Sequence, residues 1–244
     1  MSWKDEPLSF MEILEFQRMK NQGWKGDIPR NRGEFRKIWE EYTCPRKVRV
    51  IDLYHITSIN NLDSIMKCGL LAGSEMEKMK INPDNISNKE IVKMRNPKPV
   101  GNSNYTIHDC ALLYFQPRNS MLYKITRDSS IREKTIILRF AYDANEGGYF
   151  TKMNAVYQQE FYKLDSENDK MHLEYCLRLI NEKSWEGNHD KEKSMMAEAL
   201  IPKKIGTNHL KEIKFHNQKL FERLRNIVKK LDVEVKRDPE MFFL

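Results

Sequence analysis

The apolar positions change their spacing several times along the chain, and each change marks an element. Across residues 7–44, Phe10, Ile13, Leu14 and Phe16 and then Phe35, Ile38, Trp39 and Tyr42 recur at helical intervals on either side of a break between Gly23 and Gly33. Two amphipathic helices are expected there. From Val48 the run VRVIDLYHIT is β-branched and aromatic, which predicts a strand. The following NLDSIMKCGLL has helical spacing and is closed by Gly69. Residues 74–104 are polar, carry Pro83, Pro97 and Pro99, and show no sustained period. A loop of that length in a folded domain is usually functional. Beyond it, ALLYF, MLYKI, KTIILRFAY, ALIP and IKF read as strands, several of them too apolar to alternate and so buried on both faces. Residues 158–164, 170–180 and 218–231 are the helical candidates. Together these predict an α+β fold with a mixed, mostly antiparallel sheet, preceded by a helical extension over 1–46. The domain proper would run over 47–244 and close on a C-terminal helix.

At 244 residues the chain can bury a sizeable core, and with 40% hydrophobic and 32% charged residues its composition is that of a globular protein. No stretch approaches the roughly 18–20 consecutive apolar residues of a membrane helix. The opening MSWKDEPLSF is charged where a signal peptide would be apolar, so a cytoplasmic location is expected. Cys44, Cys68, Cys110 and Cys176 stand far apart and form no metal-binding spacing. They are expected to be buried thiols, and no metal is expected. The formal charge of +7 favours an anionic partner. Arg30, Arg32, Arg36 and Lys37 crowd the second helix, and Lys219, Arg223, Arg225, Lys229 and Lys230 the last one. For both groups a solvated basic face is the plainer reading.

Phosphate-binding loops, dinucleotide fingerprints, the H-E-x-x-H zinc motif and the G-x-S-x-G elbow are all missing from the sequence. What remains is a set of polar residues attached to the expected strands: His55 within YHIT, His108 and Asp109 before ALLYF, Arg118 and Tyr123 around a turn, and Glu198 in MMAEALIP. Arg95 in KMRNPKP joins them from the loop. Glu198 carries the most information, because a carboxylate at the head of an apolar strand must be desolvated unless it finds a partner. Against it stand a strand-edge residue for Glu198, a hydrogen-bonded core histidine for His55 and a solvated cation for Arg95.

The blocks DLYHITSINNLDSIMKCGLL, RNPKPVGNSNYTIHDCALLYFQPRNSMLYKI and AEALIP, in this order and at these separations over about residues 48–215, resemble the DNA ADP-ribosyltransferase toxins called DarT. Those toxins are opposed by a macrodomain antitoxin, DarG. The resemblance implies an ADP-ribosyltransferase-like split sheet with NAD in the cleft between its halves. It implies that His55, Thr57, Asn61, Tyr114 and Arg95 bind NAD and that Glu198 and Arg95 are catalytic. The block FQPRNSML resembles the family's PRxPML segment, which places Arg118 and Met121 where the target base enters. Two departures matter: residues 151–155 read TKMNA, with Asn154 where thymidine-modifying members have a histidine, and Ser120 replaces a proline. Both suit a branch that modifies guanine.

The residue types fit that chemistry. Breaking a glycosidic bond develops positive charge on the ribose, which a carboxylate such as Glu198 stabilises. A base edge is hidden in a duplex, so single-stranded DNA is the expected substrate. Arg118, Tyr123, Lys124, Lys152 and Tyr157 supply the cations and rings of a single-strand groove, with Met121 and Asn154 at the base. Two rivals stand beside this reading: an RNA 2'-phosphotransferase on the same fold, which needs a second arginine set, and a nucleic-acid-binding module without catalysis.

Overall fold

The computed structural model describes residues 5–21, 27–43, 50–87, 89–178, 184–185, 187–228 and 233–244. Two compact units emerge, Met1–Val48 and Arg49–Leu244.

In the first unit, α1 (Phe10–Asn21) and α2 (Arg32–Thr43) match the two expected helices. Phe16, Met19, Phe35 and Trp39 form its core, with Phe35 stacked on Trp39 at 5.8 Å between ring centroids. Ile13 and Leu14 belong to a different stripe and remain about 41% and 42% exposed. Arg32 is not part of a basic face, since it bridges Glu6 at 2.6 Å and Glu12 at 3.1 Å.

The second unit begins with β1 (Val50–Ser58), α3 (Leu62–Cys68), β2 (Leu70–Leu71), α4 (Gly73–Lys78) and α5 (Lys89–Arg95). It continues with β3 (Cys110–Tyr114), α6 (Ser120–Arg127), α7 (Ser129–Arg132), β4 (Thr135–Asp143), β5 (Tyr149–Phe150) and β6 (Tyr162–Lys163). The remaining elements are α8 (Lys170–Arg178), α9 (His189–Ser194), β7 (Glu198–Pro202), β8 (Lys204–Ile205), β9 (Leu210–Phe215), α10 (Gln218–Val228) and β10 (Glu234–Arg237). The main sheet runs β10-β9-β4-β1-β3-β7-β5-β6, and all its pairings are antiparallel except β10 with β9.

The sheet is nearly two sheets. β1 pairs with β4 along nine residues from Val50↔Asp143 to Ser58↔Thr135, yet it meets β3 in a single register pair, Tyr54↔Tyr114. On the far side β3 pairs fully with β7, from Cys110↔Pro202 to Tyr114↔Glu198. The two halves therefore diverge along most of the β1–β3 line, and a cleft opens where the ladder stops.

Three expectations need correction. MLYKI is not a strand but the middle of α6: Asn119 caps it by accepting from Leu122 N, and Leu122, Ile125 and Thr126 turn to the core at helical spacing. Residues 158–164 are not a helix, because Tyr162 pairs with Phe150 in β6. The loop over 74–104 holds α4 and α5. Helix α8 ends within the expected 170–180, and α10 covers the described part of 218–231. Cys44, Lys229 and Lys230 lie outside the described residues. Cys110 and Cys176 are buried thiols, and burial pushes both up to about 12, whereas Cys68, the last residue of α3, is only half-buried and departs from the expectation.

Candidate active site

β1 delivers His55 to the point where the two halves separate. Its Nδ1 lies 3.0 Å from the Leu112 carbonyl of β3, across the gap. A carbonyl can only accept, so Nδ1 carries the proton. Burial, reinforced by the charge of Arg95 and opposed by the Leu112 bond, brings the ring down to about 4. His55 is therefore neutral at pH 7, with Nε2 as a bare acceptor. Two residues on, buried Thr57 accepts from Asn61 Nδ2 at 3.0 Å.

β3 and β7 are in register at Tyr114↔Glu198. Glu198 is 1% exposed. Its Oε2 accepts from the Ala155 N–H at 2.7 Å, and the Tyr114 hydroxyl hydrogen-bonds the carboxylate. The same phenol lies 3.0 Å from Met121 Sδ. Burial raises the Glu198 carboxyl above its ordinary range, opposed by Arg95, the Ala155 N–H and Tyr114 in that order. Burial, with the Glu198 charge beside it, raises the Tyr114 phenol as well. Residues 151–155 wrap around this carboxylate: Thr151 N donates to the Glu198 carbonyl at 2.9 Å, and the turn brings Ala155 N onto the side chain.

Arg95, the last residue of α5, supplies the positive charge felt by His55, Tyr114 and Glu198 alike. Its buried Nε has no hydrogen-bond partner among the described residues. His55, Thr57, Asn61, Arg95 and Leu112 line a cleft of about 370 Å³, whose other wall is the irregular segment around Pro83 and Asp84. Tyr114 and Glu198 do not line it themselves; the field of Arg95 links them to it.

The second group of expected residues separates from the cleft. Arg118 Nη1 donates to the Glu240 carbonyl at 2.5 Å, and its guanidinium sits 4.4 Å over the Phe243 ring. Tyr123 packs edge-on against Trp185 and Phe243 at 5.8 and 5.3 Å. Lys124 is exposed on α6, and Lys152 lies 5.1 Å over Tyr162. Tyr157 is 63% exposed. Asn154 Oδ1 accepts from Val156 N at 3.1 Å, one residue from the N–H that holds Glu198. His108 lies 3.0 Å from Glu77, and Asp109 accepts from Thr106 N and Oγ1 at 2.9 and 2.8 Å, closing a capping box with Thr106. Sequence reasoning missed Asp84, Trp185 and Phe243; a turn-forming N-P-D was the one signal, for Asp84.

A family model described as DarT, ssDNA thymidine ADP-ribosyltransferase, matches residues 54–243. The chain belongs to the DarT family. A DNA ADP-ribosyl transferase–DNA ADP-ribosyl glycohydrolase fusion protein of Thermosipho africanus is 26% identical over 204 residues, covering 80% of this chain and 50% of that protein. The chain thus spans about half the length of this curated relative. Among solved structures, Thermosipho africanus DarTG in complex with ADP-ribose aligns with a TM-score of 0.70 at 24% identity, over 80% of this chain and 51% of that one. Thermus sp. 2.9 DarT in complex with ADP-ribosylated ssDNA aligns with a TM-score of 0.66 at 23% identity, over 78% and 95%. The expected α+β architecture with its mixed sheet is thereby the DarT fold. Among the described residues no helix is long and apolar enough to cross a membrane, and no group of three or more His, Cys, Asp or Glu could hold a metal ion.

Proposed function

We propose that this DarT-family chain transfers ADP-ribose from NAD to a base of single-stranded DNA, and that it acts as a toxin opposed by a macrodomain antitoxin. The observation that carries the reading is a cleft lined by a neutral His55 and by Arg95 with its unpartnered Nε, whose charge also acts on the buried Glu198 behind the lining. A buried guanidinium N–H without a partner fits an anionic group such as the pyrophosphate of NAD. The bare Nε2 of His55 fits a ribose hydroxyl as donor. NAD supplies the activated ADP-ribosyl group. Once ionised, Glu198 offers its negative charge to the positive charge that develops on the sugar, with the Ala155 N–H holding Oε2. In this reading the same carboxylate takes the proton lost by the attacking base nitrogen. Relatives support the substrates: Thermus sp. 2.9 DarT has been solved in complex with NAD+ and with ADP-ribosylated ssDNA, and the Thermosipho africanus relative is fused to a glycohydrolase.

For the base, guanine is the reading we put forward. Asn154 lies beside the Glu198 anchor with Oδ1 on Val156 N, so its Nδ2 is the donor offered to a base carbonyl, while Oδ1 keeps a second lone pair for an exocyclic amine. The family description names thymidine, which is the competing reading. The test is incubation with NAD and oligonucleotides, followed by nicotinamide release and the mass of the DNA. An added ADP-ribose on DNA supports the transferase, whereas modification of RNA phosphate favours the phosphotransferase rival. Labelling that survives replacement of every guanine by inosine and disappears without thymine would overturn guanine and leave the transferase standing.

A further inference from the structure

One wall of the cleft has no regular structure to hold it. Between α4 and α5, Ile81, Asn82, Pro83 and Asp84 line the cleft as irregular chain, and the same segment leads into the helix that carries Arg95. The Ile81 N–H donates to the Met76 carbonyl at 2.9 Å and Ile86 packs into the core, and between these two anchors the polar bonds converge on Asp84. Its backbone N–H donates to Asn61 Oδ1 at 2.7 Å, and its carbonyl accepts from Asn61 Nδ2 at 3.0 Å. Its carboxylate accepts from Ser58 Oγ at 2.7 Å, Asn60 Nδ2 at 2.9 Å and Lys134 Nζ at 2.8 and 2.9 Å.

These partners are fixed in turn. Ser58 ends β1, Asn60 and Asn61 lie in the 3₁₀ turn that follows it, and Lys134 precedes β4. The Ile59 N–H donates to the Lys134 carbonyl at 2.8 Å, and Arg223 of α10 donates to Asn60 Oδ1 at 2.7 Å. A carboxylate that already accepts from three side chains has little left to offer a ligand, so Asp84 acts through the loop and not by direct contact. The same holds for Asn61: its Oδ1 is on Asp84 N, and its Nδ2 is shared between Asp84 O and Thr57 Oγ1.

We propose that Asp84 is a positioning residue for NAD, a clasp that ties the irregular cleft wall to the end of β1 through Ser58, Asn60 and Lys134 and so sets the wall, and α5 with Arg95, in their binding arrangement. The proposal rests on the cleft being the NAD site. Breaking the clasp costs no contact with the cofactor; it lets the wall move, so NAD must order it on binding. Asp84→Asn keeps the backbone pair with Asn61 and weakens the charged bonds, while Lys134→Met removes the cation from the other side.

The experiment measures NAD dissociation constants by calorimetry for the full chain, the two single variants and the double variant. KM for NAD, KM for the oligonucleotide and Tm are followed in parallel. Each single variant should weaken NAD binding about tenfold, the loss of one charged hydrogen bond. The double variant should be little worse than either single one, because both break the same link. KM for the oligonucleotide should stay within about twofold, and kcat/KM for NAD should fall much more than kcat. Equal NAD affinity in wild type and both single variants would overturn the clasp alone. A parallel rise of both KM values with a falling Tm would also overturn it, in favour of a purely structural ion pair. If Asp84→Asn does not fold, Lys134→Met decides by the same criteria. A wild-type chain that binds no NAD overturns the cleft reading and the clasp with it.

Discussion

Glu198→Gln separates the catalytic role proposed for this residue from its structural one. The carboxylate accepts the Ala155 N–H at 2.7 Å in a site that is 1% exposed. An alanine there would strip that N–H of its partner and cost about 1–3 kcal/mol, which confounds any loss of activity with loss of fold. The glutamine oxygen keeps the bond, and its amide can donate to the Tyr114 oxygen, so stability should change little. Only the negative charge is gone. Removing one group that stabilises transition-state charge costs about 10²–10³ in kcat, or roughly 3–4 kcal/mol at 1.36 kcal/mol per decade. Nicotinamide release in the presence of NAD and single-stranded DNA should therefore fall at least about a hundredfold in kcat, with Tm and the NAD dissociation constant close to wild type. Glu198 also has a raised pKa, so the wild-type rate should climb with pH as the carboxyl ionises, and the glutamine variant should lose that limb. A variant that turns over within about threefold of wild type would refute the argument, because the buried charge would then be an element of the fold alone.

Three further outcomes follow from the same geometry. Arg95→Ala should lose nearly all transfer and most NAD affinity, measured by turnover and calorimetry, because it removes the cation shared by His55, Tyr114 and Glu198. Gly73→Ala should lower stability by about 1–3 kcal/mol in thermal or denaturant melts; its Cβ would collide with the His108 ring. Lys219→Ala combined with Arg225→Ala, both exposed on α10, should leave turnover at moderate salt unchanged within about twofold. A larger loss would move the DNA groove onto that helix.

Elements with long apolar runs were legible in the sequence for a physical reason. β3, β4 and β7 are buried on both faces or nearly so, and a continuous apolar run has few other uses at that length. MLYKI misled because four apolar residues in five fit a strand and one helical turn equally; the capping Asn119 two residues before it was the signal that decides. Two-residue strands such as β5 and β6 carry no period at all. Glu198 and His55 stood out as polar residues attached to apolar strands, where the desolvation cost itself is the clue, whereas Arg95 was marked only by the family resemblance. Asp84 did not, because its carboxylate partners lie 24, 26 and 50 residues away and its loop reads as ordinary polar chain. Arg118 and Tyr123 were found as residues but not as neighbours of the C-terminal Phe243, a contact that only the folded chain creates.

The cleft and the split in the sheet have one origin, and His55 tests it. Because β1 and β3 share only the pair Tyr54↔Tyr114, the Leu112 carbonyl lacks the ladder partner that a continuous sheet would give it, and His55 Nδ1 takes that place at 3.0 Å. The side chain thus closes the sheet across the gap while leaving space for a ligand. Its ring is held near a pKa of about 4 against an ordinary 6.5, so the folded state resists protonation. A depressed pKa contributes stability that is fully present above 6.5 and is lost as pH falls through 4, up to about 3 kcal/mol at 1.36 kcal/mol per unit. His55→Asn can still donate to Leu112 but does not titrate. Unfolding free energies measured by denaturant melts from pH 7.5 to 4 should therefore fall more steeply for wild type than for His55→Asn, with the difference confined to that window. His55→Leu, which leaves the carbonyl unpaired, should be less stable than His55→Asn at pH 7.5 by about 1–3 kcal/mol. Parallel curves for wild type and His55→Asn would mean that the ring is exposed to water in both protonation states, and the view of His55 as the neutral bridge across the split would fall.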